Sequence, residues 1–276
     1  MFRFFRHARD AALSEHRFGR YARYALGEIV LVVVGILIAL QINNWNEQRI
    51  EQREMAEYAV NLAGDIQRDL DMLAPVANQI NTALDQANAF RKYALQRPLQ
   101  EFDNAEVLAM TTRLYYRPFA WNRAALDQLK NSGGLRLISN QVLVDRISAY
   151  DALSHHLDQD YANDVNRINQ VSALVNQLVD LNYPETEEFN EYLDSFPDEA
   201  NANTFRMGQE SEIFQRMQAR KLPLLTPEDA RMHQLANQML ELSQSLEPRP
   251  GNEIPRLRRL GEEIIAIVQA EYGQPD

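Results

Sequence analysis

Apolar and polar residues alternate at helical spacing along most of the chain, and one stretch near its start departs from that pattern. From Ile29 to Leu40 twelve consecutive residues carry no polar side chain, and the run extends from Tyr24 to Ile42 with only Glu28 and Gln41 interrupting it. Nineteen residues at ~1.5 Å each make about 28 Å, close to the ~30 Å hydrocarbon core of a bilayer. The pattern therefore predicts one transmembrane helix over 24–45, with Tyr21, Tyr24 and Trp45 at its two interfaces. Beyond it Met55, Ala59, Leu62, Ile66, Leu70 and Leu73 recur every three or four residues, so the helix is expected to continue outward. Pro75 lacks a backbone donor and should kink or break it, after which Val76, Ile80, Leu84, Ala87 and Phe90 resume the stripe until Pro98.

Further along, Asp103 with Glu106 reads as a capping box, and a shorter helix is predicted from Trp121 to Leu129, ended by Ser132-Gly-Gly134. The longest helix should start near Ser139 or Asn140 and run to about Asn182. Its seam is Leu143, Ile147, Tyr150, Leu157, Tyr161, Ile168, Val171, Val175 and Leu178, with polar Ser154 and Asp164 in the gaps. Residues 183–225 read as a proline-interrupted, acidic region with one or two short helices. Thr226-Pro-Glu-Asp229 is a helix start, because threonine caps and proline is tolerated at the first helical position. That helix should end near Ser245, with Pro248 to Gly251 as a break before a closing helix from Asn252 to Glu271.

Composition agrees with an all-α chain: 10 glycines in 276 residues is low for a turn-rich sheet protein. The absence of cysteine excludes disulfides, thiolate-held metals and thiol nucleophiles. Charge is split along the chain. Residues 1–23 carry six arginines against Asp10 and Glu15, a basic amphipathic segment suited to an anionic membrane surface, while the remainder carries 22 basic and 37 acidic side chains. The arginine excess before the span predicts a cytoplasmic N-terminus, and residues 46–276 are expected to be extracytoplasmic. A cleaved signal sequence is the competing reading of the apolar run. It is disfavoured by the long segment ahead of the run and by Leu40-Gln-Ile-Asn-Asn-Trp45 where a small-x-small cleavage site would stand. With an overall charge of −11 there is no cationic field to draw in nucleic acid.

The segment Tyr24-Ala-Leu-Gly-Glu-Ile-Val-Leu-Val-Val-Val-Gly-Ile-Leu-Ile-Ala-Leu-Gln-Ile-Asn-Asn-Trp-Asn-Glu47 resembles the signature of an uncharacterised family of bacterial single-pass membrane proteins. Weaker likeness lies in Leu129-Lys-Asn-Ser-Gly-Gly-Leu-Arg-Leu-Ile-Ser-Asn140 with Tyr150 downstream, and in Glu262-Glu-Ile-Ile-Ala-Ile-Val-Gln-Ala-Glu-Tyr272. The resemblance implies a membrane anchor and a helical domain, and it carries over no catalytic residue.

Candidate functional residues concentrate in the span. Glu28 is a carboxylate near the start of a hydrocarbon segment; it reaches the headgroups, contacts another helix, or serves as an ion or proton site. Gly27, Gly35, Ala39 and Asn43 share one helix face with Leu31, and Gly35 with Ala39 has the small-xxx-small spacing that lets helices approach closely. In His155-His-Leu-Asp-Gln-Asp160, His156 and Asp160 are four apart, but two ligands do not make a metal site, and a solvated helix face is the simpler reading. Ser132-Gly-Gly134 reads as a helix end rather than an anion site. No nucleophile elbow, Walker loop, zincin helix or dinucleotide fingerprint is present, so neither a catalytic residue nor a cofactor is assigned.

The sequence thus predicts an all-α protein: an N-terminal transmembrane helix in the bacterial inner membrane, followed by an elongated extracytoplasmic helical bundle. The leading expectation is a structural or interaction subunit that forms a homo-oligomer or binds another envelope membrane protein. A ligand-sensing helical domain and an accessory subunit of an ion-driven complex using Glu28 stand as alternatives.

Overall fold

The apolar stripe read along residues 59–90 becomes the buried face of one very long helix. The computed structural model describes the backbone of residues 4–96, 98, 101–180, 212–219, 224–225 and 228–273, and side chains from residue 23 on, apart from 105, 213, 214, 217 and 218. Among these residues every regular element is a helix: α1 (Phe4–Gln96), α2 (Asn104–Thr111), α3 (Ala124–Asn131), a 3-10 turn (Gly134–Arg136), α4 (Gln141–Leu178), α5 (Glu212–Ala219), α6 (Asp229–Leu246), a π-helical turn (Arg249–Glu253) and α7 (Ile254–Tyr272). Chain contacts divide the protein into residues 1–57 and 58–276. The first unit is helix throughout its described part, and its side chains from 23 to 54 are exposed.

In the second unit α1 buries Ala59, Leu62, Ile66, Leu70, Leu73, Val76, Ile80, Ala83, Ala87 and Phe90. The break expected at Pro75 does not occur, since α1 runs through it. A mid-helix proline costs about 3 kcal/mol or more. Burial of Leu70, Leu73, Val76 and Ile80 on either side, at roughly 1.5–3 kcal/mol each, offsets that loss.

Asp103 caps α2 as expected, its side chain accepting from the Glu106 amide at 2.8 Å. The helix predicted from Trp121 starts later, at Ala124. The residues before it form an extended strap between α1 and α4. Tyr115 donates to Asn169 (2.7 Å), Tyr116 to Asp164 (2.8 Å), and Trp121 Nε1 to Asp158 (2.7 Å), so the strap runs antiparallel to α4. On its other side the Arg117 amide donates to Gln79 (2.9 Å) and the Asn122 amide to Asp69 (2.8 Å). These bonds hold Trp121 to Arg123 out of the helix. Gly133 closes α3 in the left-handed region at φ 75°, the conformation glycine adopts without penalty at a helix end. The Gly133 and Gly134 amides donate to Lys130 O and Ser132 Oγ, which leaves no free amide pair for an anion there.

Asn140 caps α4, accepting from the amides of Val142 (3.0 Å) and Leu143 (3.3 Å). The seam read from sequence is buried as far as Leu178 except at Tyr161, which is half-buried, and the polar Ser154 and Asp164 are buried with it. α6 and α7 both pack on α4 and run antiparallel to it. Arg231 meets Gln177 and Ser245 meets Asp164, while Arg146 meets Glu263 and Asn140 meets Glu271. The expected break at Pro248 to Gly251 is instead a π-helical turn, with Pro248, Glu253 and Ile254 all in right-handed helical conformation. Wider π geometry accommodates the prolines without opening the chain. Thr226 and most of the region 183–225 lie outside the described residues. Helix α6 begins at Asp229 with Glu228 before it and no side-chain cap.

Candidate functional site

Among the described residues one helix is long and apolar enough to cross a membrane, and none of its apolar window near the N-terminus is buried. Gly27, Gly35, Ala39 and Asn43 recur along one side of it, and Glu28 sits about 100° round from Gly27. All five are exposed. Among the described residues, a methyl group placed on Gly27 or Gly35 would meet nothing within 4 Å. Neither glycine is therefore demanded by packing along its own helix, and such small residues permit close approach of another helix. Asn43 donates to Glu47 Oε1 at 2.8 Å, so its amide is engaged one turn along the same helix. The Arg49 guanidinium lies 6.0 Å from the Trp45 ring at the polar end of the run.

A second group of polar side chains forms inside the helical unit, and most of it has no signal in local sequence. His156, Asp160 and Asp164 lie one turn apart on α4. The π-helical turn faces them with Arg249, whose side chain is 6% exposed, and Glu253. Arg249 Nη1 is 3.3 Å from Asp160 Oδ2 and 3.1 Å from Glu253 Oε2, and its Nε is 3.4 Å from Asp164 Oδ2. Asp164, fully buried, also accepts from Tyr116 at 2.8 Å and from Ser245. Burial alone would lower the Arg249 pKa, but Asp164, Glu253 and Asp160 together hold it above its usual value. Burial, then Asp164, pushes the Tyr116 hydroxyl above the ordinary phenol range, so it stays a neutral donor. His156 Nε2 completes the group, 3.2 Å from Asp160 Oδ2 and 3.6 Å from Glu253 Oε1. His155 points elsewhere, its Nδ1 2.8 Å from Arg123, and His233 is exposed.

A third arrangement is structural. Asp65 and Asp69, one turn apart on α1, receive the start of α3. The Ala125 amide donates to Asp65 (3.1 Å), while the Asn122 amide and side chain donate to Asp69 (both 2.8 Å). Tyr150 of α4 donates to the other Asp69 oxygen at 3.0 Å. Asp65 thus supplies the N-terminal acceptor that Arg123, in the capping position, does not. Burial raises the Asp69 pKa, and the hydrogen bonds from Asn122 and Tyr150 only partly oppose it.

Residues 28–123 match the model of a family described as a family of unknown function (DUF6090). That stretch begins at Glu28, contains the apolar run, and ends on the strap, so it includes Asp65, Asp69 and Asn122. No curated protein and no solved structure matches the chain. Over residues 28–123, then, the chain is similar to a family of unknown function, and that stretch takes in both the apolar run and the α1 carboxylates holding α3.

Proposed function

We propose that this chain is a membrane-anchored structural or interaction subunit of the bacterial envelope. In this reading residues 1–23 lie on the cytoplasmic face, 24–45 span the inner membrane, and the helical remainder stands outside, as the arginine excess before the span favours. The span associates through Gly35, Ala39 and the neighbouring small face with a second copy or with another envelope membrane protein. The observation that carries the reading is the wholly exposed apolar window, with open space over both of its glycines. Its exposed side chains call for lipid or another helix. Neither a nucleic acid partner nor a cofactor is part of this reading, and no catalytic role is assigned.

The test is the mass and composition of the particle obtained when the tagged full-length protein is extracted gently from its native membrane. A reproducible homo-oligomer, or a stoichiometric foreign subunit, is expected, and Gly35→Leu should dissociate it while leaving the thermal melt of the helical unit unchanged. A bare monomer for the unsubstituted protein would overturn the proposal.

A further inference from the structure

The group around Arg249 is unbalanced in charge. Three carboxylates, Asp160, Asp164 and Glu253, surround a single guanidinium in a largely buried setting: Asp164 is fully buried, and the Asp160 and Glu253 side chains are each 14% exposed. Among the described residues these carboxylates outnumber the guanidinium by two where water is scarce, an arrangement that is costly unless a further cation is present. Asp160 Oδ2 is buried and receives no hydrogen bond, although His156 Nε2 and Arg249 Nη1 stand at ion-pair distance from it.

We propose that His156, Asp160 and Glu253 bind one divalent transition-metal ion of the zinc type. Their donor atoms all lie within 4.8 Å of one another. Around a tetrahedral zinc ion with bonds of about 2.0–2.2 Å, neighbouring donors stand roughly 3.3–3.6 Å apart. The His156 to Asp160 and His156 to Glu253 separations, 3.2 and 3.6 Å, are close to that spacing. A divalent ion also neutralises the two uncompensated charges.

The surrounding groups play the part that outer partners play at metal sites, fixing the ligands in orientation. Glu253 turns Oε1 toward His156, while Arg249 takes Oε2 at 3.1 Å and Oε1 more weakly at 3.4 Å. Tyr116 and Ser245 each donate to one oxygen of Asp164, which remains the buried counter-charge of Arg249 rather than a ligand. Glu253 reaches the site from a π-helical turn, a local widening that recurs at functional positions in helices. His156, with its side chain 53% exposed, gives the ion a path from solvent and leaves a coordination position open to water or a partner's donor. The imidazole nitrogen selects zinc-type ions over calcium and magnesium, which prefer oxygen alone.

The experiment uses the full-length protein in detergent, purified without a histidine tag, stripped with a chelator and titrated with ZnSO4. Elemental analysis after desalting should find one zinc per chain, and zinc should raise the melting temperature where equal concentrations of Ca2+ and Mg2+ do not. His156→Ala and Glu253→Gln should each weaken zinc binding at least tenfold, and His155→Ala should leave it unchanged. Cobalt loaded into the unsubstituted protein should give the visible absorption of a low-coordinate N/O site, a readout that needs no variant to fold. Zinc uptake that is absent, or that is the same in the His156 and Glu253 variants, would mean an adventitious ion only and overturn the proposal. So would equal stabilisation by Ca2+.

Discussion

Gly261 on α7 lies against α1, and adding one methyl group there sets two effects of known size against each other. Alanine is favoured over glycine within a helix by about 1 kcal/mol. Against this, a Cβ at 261 would stand 2.9 Å from Ile66 Cγ2 and 3.0 Å from Leu70 Cδ2. Ile66 is 1% exposed, and its Cγ2 branches directly from Cβ, so it cannot swing away as the end of a flexible side chain can. Overpacking of this kind costs roughly 1–3 kcal/mol. Gly261→Ala should therefore destabilise the protein by about 1 kcal/mol net, a drop of roughly 2–4 °C in melting temperature for a domain of this size. In an Ile66→Ala background, itself destabilised by about 2–5 kcal/mol, the Ile66 methyl is gone and the flexible end of Leu70 can shift into the space it leaves. The same change at 261 should then stabilise by about 1 kcal/mol through propensity. Circular dichroism melts at 222 nm of the four proteins in detergent give both values and the coupling between the sites. If Gly261→Ala raises the melting temperature in the native background, or acts with the same sign in both, the close packing of α7 on α1 is wrong.

Three further outcomes follow from the polar groups of the second unit. Tyr150→Phe removes a donor from the buried Asp69 carboxylate and should cost about 1–3 kcal/mol. Tyr115→Phe, whose partner Asn169 is exposed, should cost under about 0.5 kcal/mol, and equal costs in urea melts would contradict the assigned burial. Asn140→Ala should lose about 1 kcal/mol by uncapping α4, and Asn140→Ser should recover most of it. The Asp69 pKa is raised in the folded state, so the folded protein takes up this proton more readily than the unfolded chain does. The penalty of its charge is therefore full above the raised pKa and is relieved as pH falls through it toward the ordinary carboxylate value. Relative to Asp69→Asn, the unsubstituted protein should gain stability on acidification through that window. A relative loss of stability there in pH-dependent melts would reverse the sign assigned to Asp69.

Where apolar periodicity alone decided an element, sequence and structure agree closely. The α1 and α4 stripes and the ends at Asn140 and Gly133 needed only local rules for spacing, capping and left-handed backbone. Proline was misleading at Pro75, where its local penalty of about 3 kcal/mol is smaller than the burial available on either side, and at Pro248, where a π-helical turn accommodates it. Trp121 to Arg123 were drawn out of α3 by partners 28 to 53 residues away along the chain, which no local pattern reveals. The candidate face of the span was legible because it rests on spacing within one helix. The Arg249 group was not, since Glu253 joins His156 and Asp160 only through the antiparallel packing of α6 and α7 on α4. One signal was present: Asp164 interrupts a run of apolar seam positions, and a carboxylate there must find a donor or a counter-charge.

The proposed crossing of the membrane by residues 24–45, with the helical unit on the outer side, is directly measurable because the chain has no native cysteine. Single cysteines at Ser14 and at the exposed Ser148 are treated with a membrane-impermeant maleimide in intact spheroplasts and again after permeabilisation. Ser148→Cys should label in both and Ser14→Cys only after permeabilisation. Labelling of Ser14→Cys in intact cells while Ser148→Cys stays protected would contradict the orientation, and recovery of the chain in the soluble fraction would contradict the anchor itself.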